Sequence, residues 1–194
     1  NAFGPENMLG CVVYPAAEII EPGVIKHTEG NRFSLGEPNG VKSQRVKKLS
    51  EILTNASLRA PVRSNIRTEI WVKLWGNLSF NPTSVLTHAT LDKLCTDAGV
   101  TNIIRLMMKE AEEIANKLGV TFPIDVEKRI EGGAAVGAHQ TSMLQDILSG
   151  RPLELDAMLG SVQELGRLLK IQTPTIDIIF ALTKLRETMN FSAR

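Results

Sequence analysis

From Asn65 onward the chain is written in helical period, and that run limits its folding options more than anything before it. Asn65 can cap a helix running from Ile66 to about Thr87, with Pro82 inside it. "NIIRLMMKEAEEIANKLGV" carries apolar residues on one face and stops at Gly119, a good C-terminal signal. "PIDVEKRIEGGAAVGAH" reads as helical despite its glycines, and "SMLQDILSG" as a short helix closed by Gly150. "PLELDAMLGSVQELGRLLK" and "PTIDIIFALTKLRETMN" each begin at a proline, favoured in a first helical turn.

Before residue 63 the texture is different. "GCVVYPAAEII", "VIKHT" and "RFSLG" are short β-like runs, separated by "EPG" and "EGN", and predict a small antiparallel meander. "VKSQRVKKLSEILTNA" predicts one helix, and "LRAPVRS" one more short strand. The expected architecture is therefore α+β: a β-rich piece over residues 1–63, then an all-helical domain over 64–194.

On a wheel of about 100° per residue, Ile66, Ile70, Trp71, Leu74, Trp75, Leu78 and Val85 share one broad half of the first long helix. Thr68, Val72, Gly76 and Ser79 take the other half. Asn77 and Asn81 fall inside the apolar half, with Lys73 at its edge. A buried amide without a hydrogen bond costs about 1–3 kcal/mol, and an unpaired ammonium is less welcome still. The stripe therefore suggests a wet cleft or a ligand. Pro82 adds to this, since it cannot donate to the carbonyl of Leu78 and is expected to bend the helix beyond Asn81. The alternative is that Lys73 reaches solvent while the asparagines tie helices together.

A second cluster, "TSMLQDILSGRPLELD", holds Ser142 and Glu154. Both have structural readings. Ser142 to Gln145 matches a capping box, and Glu154 after Pro152 suits a first helical turn. Asp146 is positioned to pair with Arg151. "GGAAVG" at 132–137 lacks the GxGxxG pattern and follows a helical segment, so small-residue helix packing explains it better than a phosphate loop.

The chain is 43% hydrophobic with a formal charge of +1, as in soluble globular proteins. That balance gives no basis for a broad grip on nucleic acid. No apolar run approaches the roughly 18 residues of a membrane span. Cys11 and Cys95 stand apart without a CxxC or Cys/His cluster, so no metal site is expected, and reduced buried thiols in a cytoplasmic protein are. The first residue is Asn1 rather than methionine, which suggests the back part of something longer.

"IRTEIWVKLWGNLSFNPTSVLTHATL" followed by "TSMLQDILSGRPLELDAMLGSV" resembles the C-terminal half of the ketopantoate reductase (2-dehydropantoate 2-reductase) family. The W-x-K-x-x-x-N-x-x-x-N-P core and the S-M-L-Q-D…E-x-D spacing carry the resemblance, which extends from about Gly10 to about Thr188. It implies a helical domain like the 6-phosphogluconate dehydrogenase C-terminal domain, preceded by a remnant of a Rossmann-like domain. It implies reduction of ketopantoate to pantoate in pantothenate biosynthesis, with NADPH as cofactor, a small 2-keto acid as partner, and a homodimer as a candidate assembly. By motif, Lys73 matches the catalytic general acid, Asn77 and Asn81 the asparagines that bind the keto acid, and Ser142 the serine on its carboxylate. Glu154 matches the glutamate that contacts cofactor ribose and organises the active site. Asn1 is similar to an asparagine that contacts substrate, but its spacing to "GCVVY" is too short for the role to transfer. The glycine-rich dinucleotide fingerprint is absent, so the main NADP site is expected outside this chain, and the chain alone is expected to be inactive. A reductase of another 2-keto acid and a non-catalytic helical interaction module remain as alternatives.

Overall fold

The structure, a computed structural model, describes residues 4–192, so Asn1 lies outside the described residues. The chain forms two compact units, Asn1–Lys73 and Leu74–Arg194. The division falls inside a single helix, α2 (Ile66–Thr87).

In the first unit, β1 (Gly10–Val13) pairs antiparallel with β4 (Phe33–Gly36), and β2 (Ala16–Glu21) with β3 (Val24–Glu29). The expected meander is thus replaced by one hairpin nested inside another. Pro15 ends β1 before β2 can pair with it, and Gly23, in the left-handed region at φ +82°, makes the inner turn. Burial separates the two pairs: β2 and β3 are exposed along their whole length, whereas Val12, Ser34 and Leu35 are buried. Gly10 and Gly36 face each other in register, and both leave room for Ile66, the first residue of α2. A Cβ on Gly36 would stand 2.5 Å from the Cβ of Ile66.

Helix α1 (Gln44–Asn55) is capped by Ser43, whose hydroxyl accepts from the Val46 amide, and Val46 packs with Leu35 and Ala60. The expected strand in "LRAPVRS" is present only as isolated parallel bridges from Arg59 and Val62 to Arg32 and Leu35. Pro61 lies between them without an N–H, which prevents a continuous ladder.

The second unit is helical. After the remainder of α2 come α3 (Leu91–Thr96), α4 (Ala98–Lys117), α5 (Val126–Ala135), α6 (Ser142–Leu148), α7 (Ser161–Leu169) and α8 (Pro174–Ser192). Trp75 anchors the core: its indole N–H donates to the Met108 carbonyl at 2.6 Å, and its ring stacks on Phe122 at 4.0 Å. Met107, Met108, Ile114, Leu144 and Leu159 are fully enclosed. Glu110 caps α8, accepting from the amides of Thr175 and Ile176 at 2.9 and 3.0 Å.

Three sequence expectations need correction here. Helix α2 does not have one polar half, because Gly76, Ser79, Thr83 and Ser84 are as buried as Leu78 and Val85. It is a central helix, enclosed on all sides over this span. The N-cap of α6 is Thr141, whose hydroxyl accepts from Leu144, so Ser142 is the first helical residue and closes no capping box. Residues 151–154 are irregular, and the helical path resumes at Leu155 with a π-helical turn (Asp156–Gly160). Glu154 therefore precedes the helix. In addition, Cys95 is buried as expected but Cys11 is exposed.

Candidate functional site

In the first unit Lys73 is half-buried. Its Nζ donates to the carbonyl of Val13, the last residue of β1, and stands 5.5 Å from the centroid of the Tyr14 ring. Arg32 lies over the same ring at 3.8 Å. The nearest acid along the helix is Glu69, one turn earlier, and it is already engaged. It pairs with Arg63 at 2.6 Å and accepts a long hydrogen bond, 3.4 Å, from the Tyr14 hydroxyl. Among the described residues no carboxylate pairs with Lys73, so its ammonium is anchored by a neutral carbonyl and keeps its charge. Burial holds its pKa below the ordinary lysine value, with the Cys11 thiol pulling weakly the other way. Sequence reasoning missed Val13 and Tyr14 in this role. Nothing in "GCVVY" announces it, because a backbone carbonyl leaves no mark on residue type.

In the second unit Asn77 is half-buried and Asn81 only 6% exposed. Neither side-chain amide has a hydrogen-bond partner among the described residues. The amide of Asn81 is nevertheless not sealed in: among the described residues it is not one of the fully enclosed side-chain groups without a hydrogen bond. The hydroxyls around it behave differently. Ser79 and Thr83 donate to carbonyls one turn back, at 2.8 and 2.7 Å. Ser84 donates to the Asn81 carbonyl at 2.7 Å and lies 2.5 Å from the Thr141 hydroxyl.

That last bond ties α2 to the start of α6, where Ser142 is exposed and its hydroxyl has no partner among the described residues. Below it Val85, Met143, Leu144 and Ile147 form one apolar cluster, against which Leu153 packs. The Leu153 amide donates to Glu187 on α8 at 2.7 Å. Leu153 thereby fixes the backbone next to Glu154, whose carboxylate is exposed. Val85, one turn beyond Asn81, Met143, next to Ser142, and Leu153, next to Glu154, thus belong to one small packed cluster. As expected, Arg151 pairs with Asp146, at 2.8 Å. The amide of Asn81 and the hydroxyl of Ser142 can donate to and accept from a polar ligand while staying neutral, and the Glu154 carboxylate can accept. Among the described residues no group of three or more metal-ligating side chains gathers, and no helix is long and apolar enough to cross a membrane.

Residues 65–187 match the family model described as "Ketopantoate reductase PanE/ApbA C terminal". The 2-dehydropantoate 2-reductase of Mesorhizobium japonicum is 56% identical over 182 residues, covering 94% of this chain and 56% of that protein. A solved Ralstonia solanacearum structure, assigned as a ketopantoate reductase, superposes with a TM-score of 0.90 at 37% identity, covering 97% of this chain and 57% of that one. D-mandelate dehydrogenase, solved with NADH, shares the fold at 22% identity and a TM-score of 0.87, covering 96% of this chain and 64% of that one. The chain spans a little over half the length of the Mesorhizobium and Ralstonia proteins.

Proposed function

Because this chain belongs to the ketopantoate reductase family, we propose that it is the substrate-side portion of an NADPH-dependent enzyme reducing 2-dehydropantoate to pantoate in the cytoplasm. The observation that carries the proposal is that one helix, α2, bears a half-buried lysine without a carboxylate and two amides without a protein partner among the described residues. The division into a cofactor-side remnant up to residue 63 and a substrate domain from 64 belongs to the same proposal.

The main dinucleotide site belongs, in this reading, outside the described residues. The "GGAAVG" stretch runs through the end of α5 rather than following a strand, and Glu154 is the one group offered to the cofactor, through its ribose. When bound, the nicotinamide supplies a hydride to the carbonyl carbon of the acid. Negative charge then builds on the carbonyl oxygen. Lys73 stabilises that charge and donates the proton, and its lowered pKa makes the proton easier to give. Asn77 and Asn81 are neutral, so they orient the acid by hydrogen bonds while leaving the lysine's charge intact. Ser142 donates to the substrate carboxylate from the start of α6.

The test is oxidation of NADPH, and separately NADH, by the protein as encoded, against a panel of 2-keto acids including ketopantoate. Ketopantoate with NADPH should give the highest kcat/KM. A higher value with another branched acid would move the substrate and keep the chemistry. No turnover with any acid would remove the enzyme reading and leave the helical interaction module.

A further inference from the structure

Arg129 is a half-buried arginine to which the reaction above gives no task. It sits on α5, half-buried, with its guanidinium 5.0 Å over the Phe80 ring and against the backbone of Gly76. The fit at Gly76 is specific, since a Cβ there would overlap the arginine's Nη2. A side chain at position 76 would displace the guanidinium from this place.

Four of the described arginines, Arg45, Arg63, Arg105 and Arg151, are ion-paired with a carboxylate, and Arg129 is among those that are not. Arg129 has no ion pair and no side-chain hydrogen bond among the described residues. The acid closest to it along α5, Glu127, is held by Arg105 at 2.5 Å. The thiol of Cys95 is the ionisable group that offsets burial at Arg129. A guanidinium carries five N–H donors in a planar fork, and leaving them unmet in a partly desolvated place is costly. A cation–π contact offsets only about 0.5–2 kcal/mol of such a cost.

The position completes the picture. Gly76 and Phe80, which cradle the guanidinium, immediately precede Asn77 and Asn81 on α2. The guanidinium therefore touches the same helix that carries the two amides, about 100° around its axis from them.

We propose that Arg129 is a ligand-binding residue whose guanidinium holds an oxyanion, a carboxylate or a phosphate, at the Gly76–Phe80 notch. Planar, bidentate pairing with such groups is what arginine does better than lysine. The inference rests on the reductase reading for the identity of the ligand, either the carboxylate of the keto acid or a phosphate of the nucleotide. It does not need that reading for binding itself.

The protein as encoded serves for the test, with Arg129→Met keeping the apolar stem and Arg129→Lys keeping the charge. Arg129→Met should raise one KM by ~10–100-fold, the range for a lost charge-assisted bond, with kcat changed less than about threefold. A rise in the keto acid KM assigns the carboxylate, and a rise in the nucleotide KM assigns the phosphate. Arg129→Lys should recover part of the loss. Independently of turnover, the Arg129 side-chain N–H signal in NMR should shift and saturate when 2-oxoisovalerate or inorganic pyrophosphate is added. Saturation in a protein that reduces no 2-keto acid would retire the reductase reading and keep the inference. An unresponsive signal in an active wild-type protein, or both KM values unchanged in a folded Arg129→Met variant, would overturn the inference and keep the reductase. If Arg129→Met does not fold, the wild-type titration and Arg129→Lys kinetics decide alone.

Discussion

The opening turns of α2, Ile66–Lys73, and its continuation, Leu74–Thr87, treat polar side chains in opposite ways. In the opening turns every charge is tied down: Glu69 by Arg63 and Tyr14, Lys73 by the Val13 carbonyl. In the continuation the hydroxyls of Ser79, Thr83, Ser84 and Thr87 are satisfied by carbonyls of the helix itself, while the amides of Asn77 and Asn81 are left open. A polar group that the protein satisfies is structural. One without a partner among the described residues, next to enclosed positions, is a candidate to meet water or a ligand. The contrast therefore sorts two kinds of buried polarity on one helix.

The largest expected effect falls on the tethered cation. Lys73→Ala in the protein as encoded should lower turnover by ~10²–10⁴-fold, the usual share of a general acid, with the keto acid KM little changed. Normal turnover would end the catalytic assignment. The next test bears on the contrast itself. Asn81→Ala should raise the keto acid KM about tenfold and leave Tm nearly unchanged, because no protein bond is lost. Ser84→Ala loses its bonds to Asn81 and Thr141 and should cost about 1–2 kcal/mol, or ~2–8 °C in Tm, without moving KM. Equal Tm losses in the two variants would break the distinction.

A pH profile sharpens it further. Burial depresses the pKa of Lys73, so kcat should decline with rising pH at a midpoint below the ordinary lysine value of about 10.4. In Lys73→Arg that limb should move out of range. The stability sign follows from the same shift. Between the lowered folded value and the ordinary one the unfolded chain binds more protons, so this group's contribution to stability rises with pH. A decline centred at or above the ordinary value would show that Lys73 is solvated during turnover.

The smallest effect lies far from the chemistry. Arg45 and Ser43 hydrogen-bond Glu37 and hold its carboxyl at about 2. A depressed acid contributes stability that is present above its ordinary range and lost as pH falls towards the folded value. Glu37→Gln should flatten the acid limb of Tm measured from neutral pH down to about 2. An unchanged limb would mean that the Arg45 pair is as weak as most exposed ion pairs.

The helical part was legible because its signals are local. Asn65 accepts from Thr68 at 3.4 Å, α2 spans Ile66–Thr87 through Pro82, and Gly119 follows α4 in the left-handed region. Short α3 went unread, since six residues are too few to display a period. The α6 cap slipped by one position because Thr141 and Ser142 are both good caps, and the bond from Ser84 to Thr141 comes from another helix. The nested hairpins depended on which strands are buried, a property of neighbours rather than of β-propensity.

By itself the sequence determined where the helices lie, that Lys73, Asn77 and Asn81 share one stripe, and the motif that places the chain in its family. These follow from residue spacing and backbone chemistry over a few turns. The tertiary structure alone decided that α2 is enclosed on all sides, that Val13 holds Lys73, and that Arg129 enters the Gly76 notch unpaired. Each of those joins residues more than fifty positions apart or sums the burial from many neighbours, and neither quantity is written in any one stretch of chain.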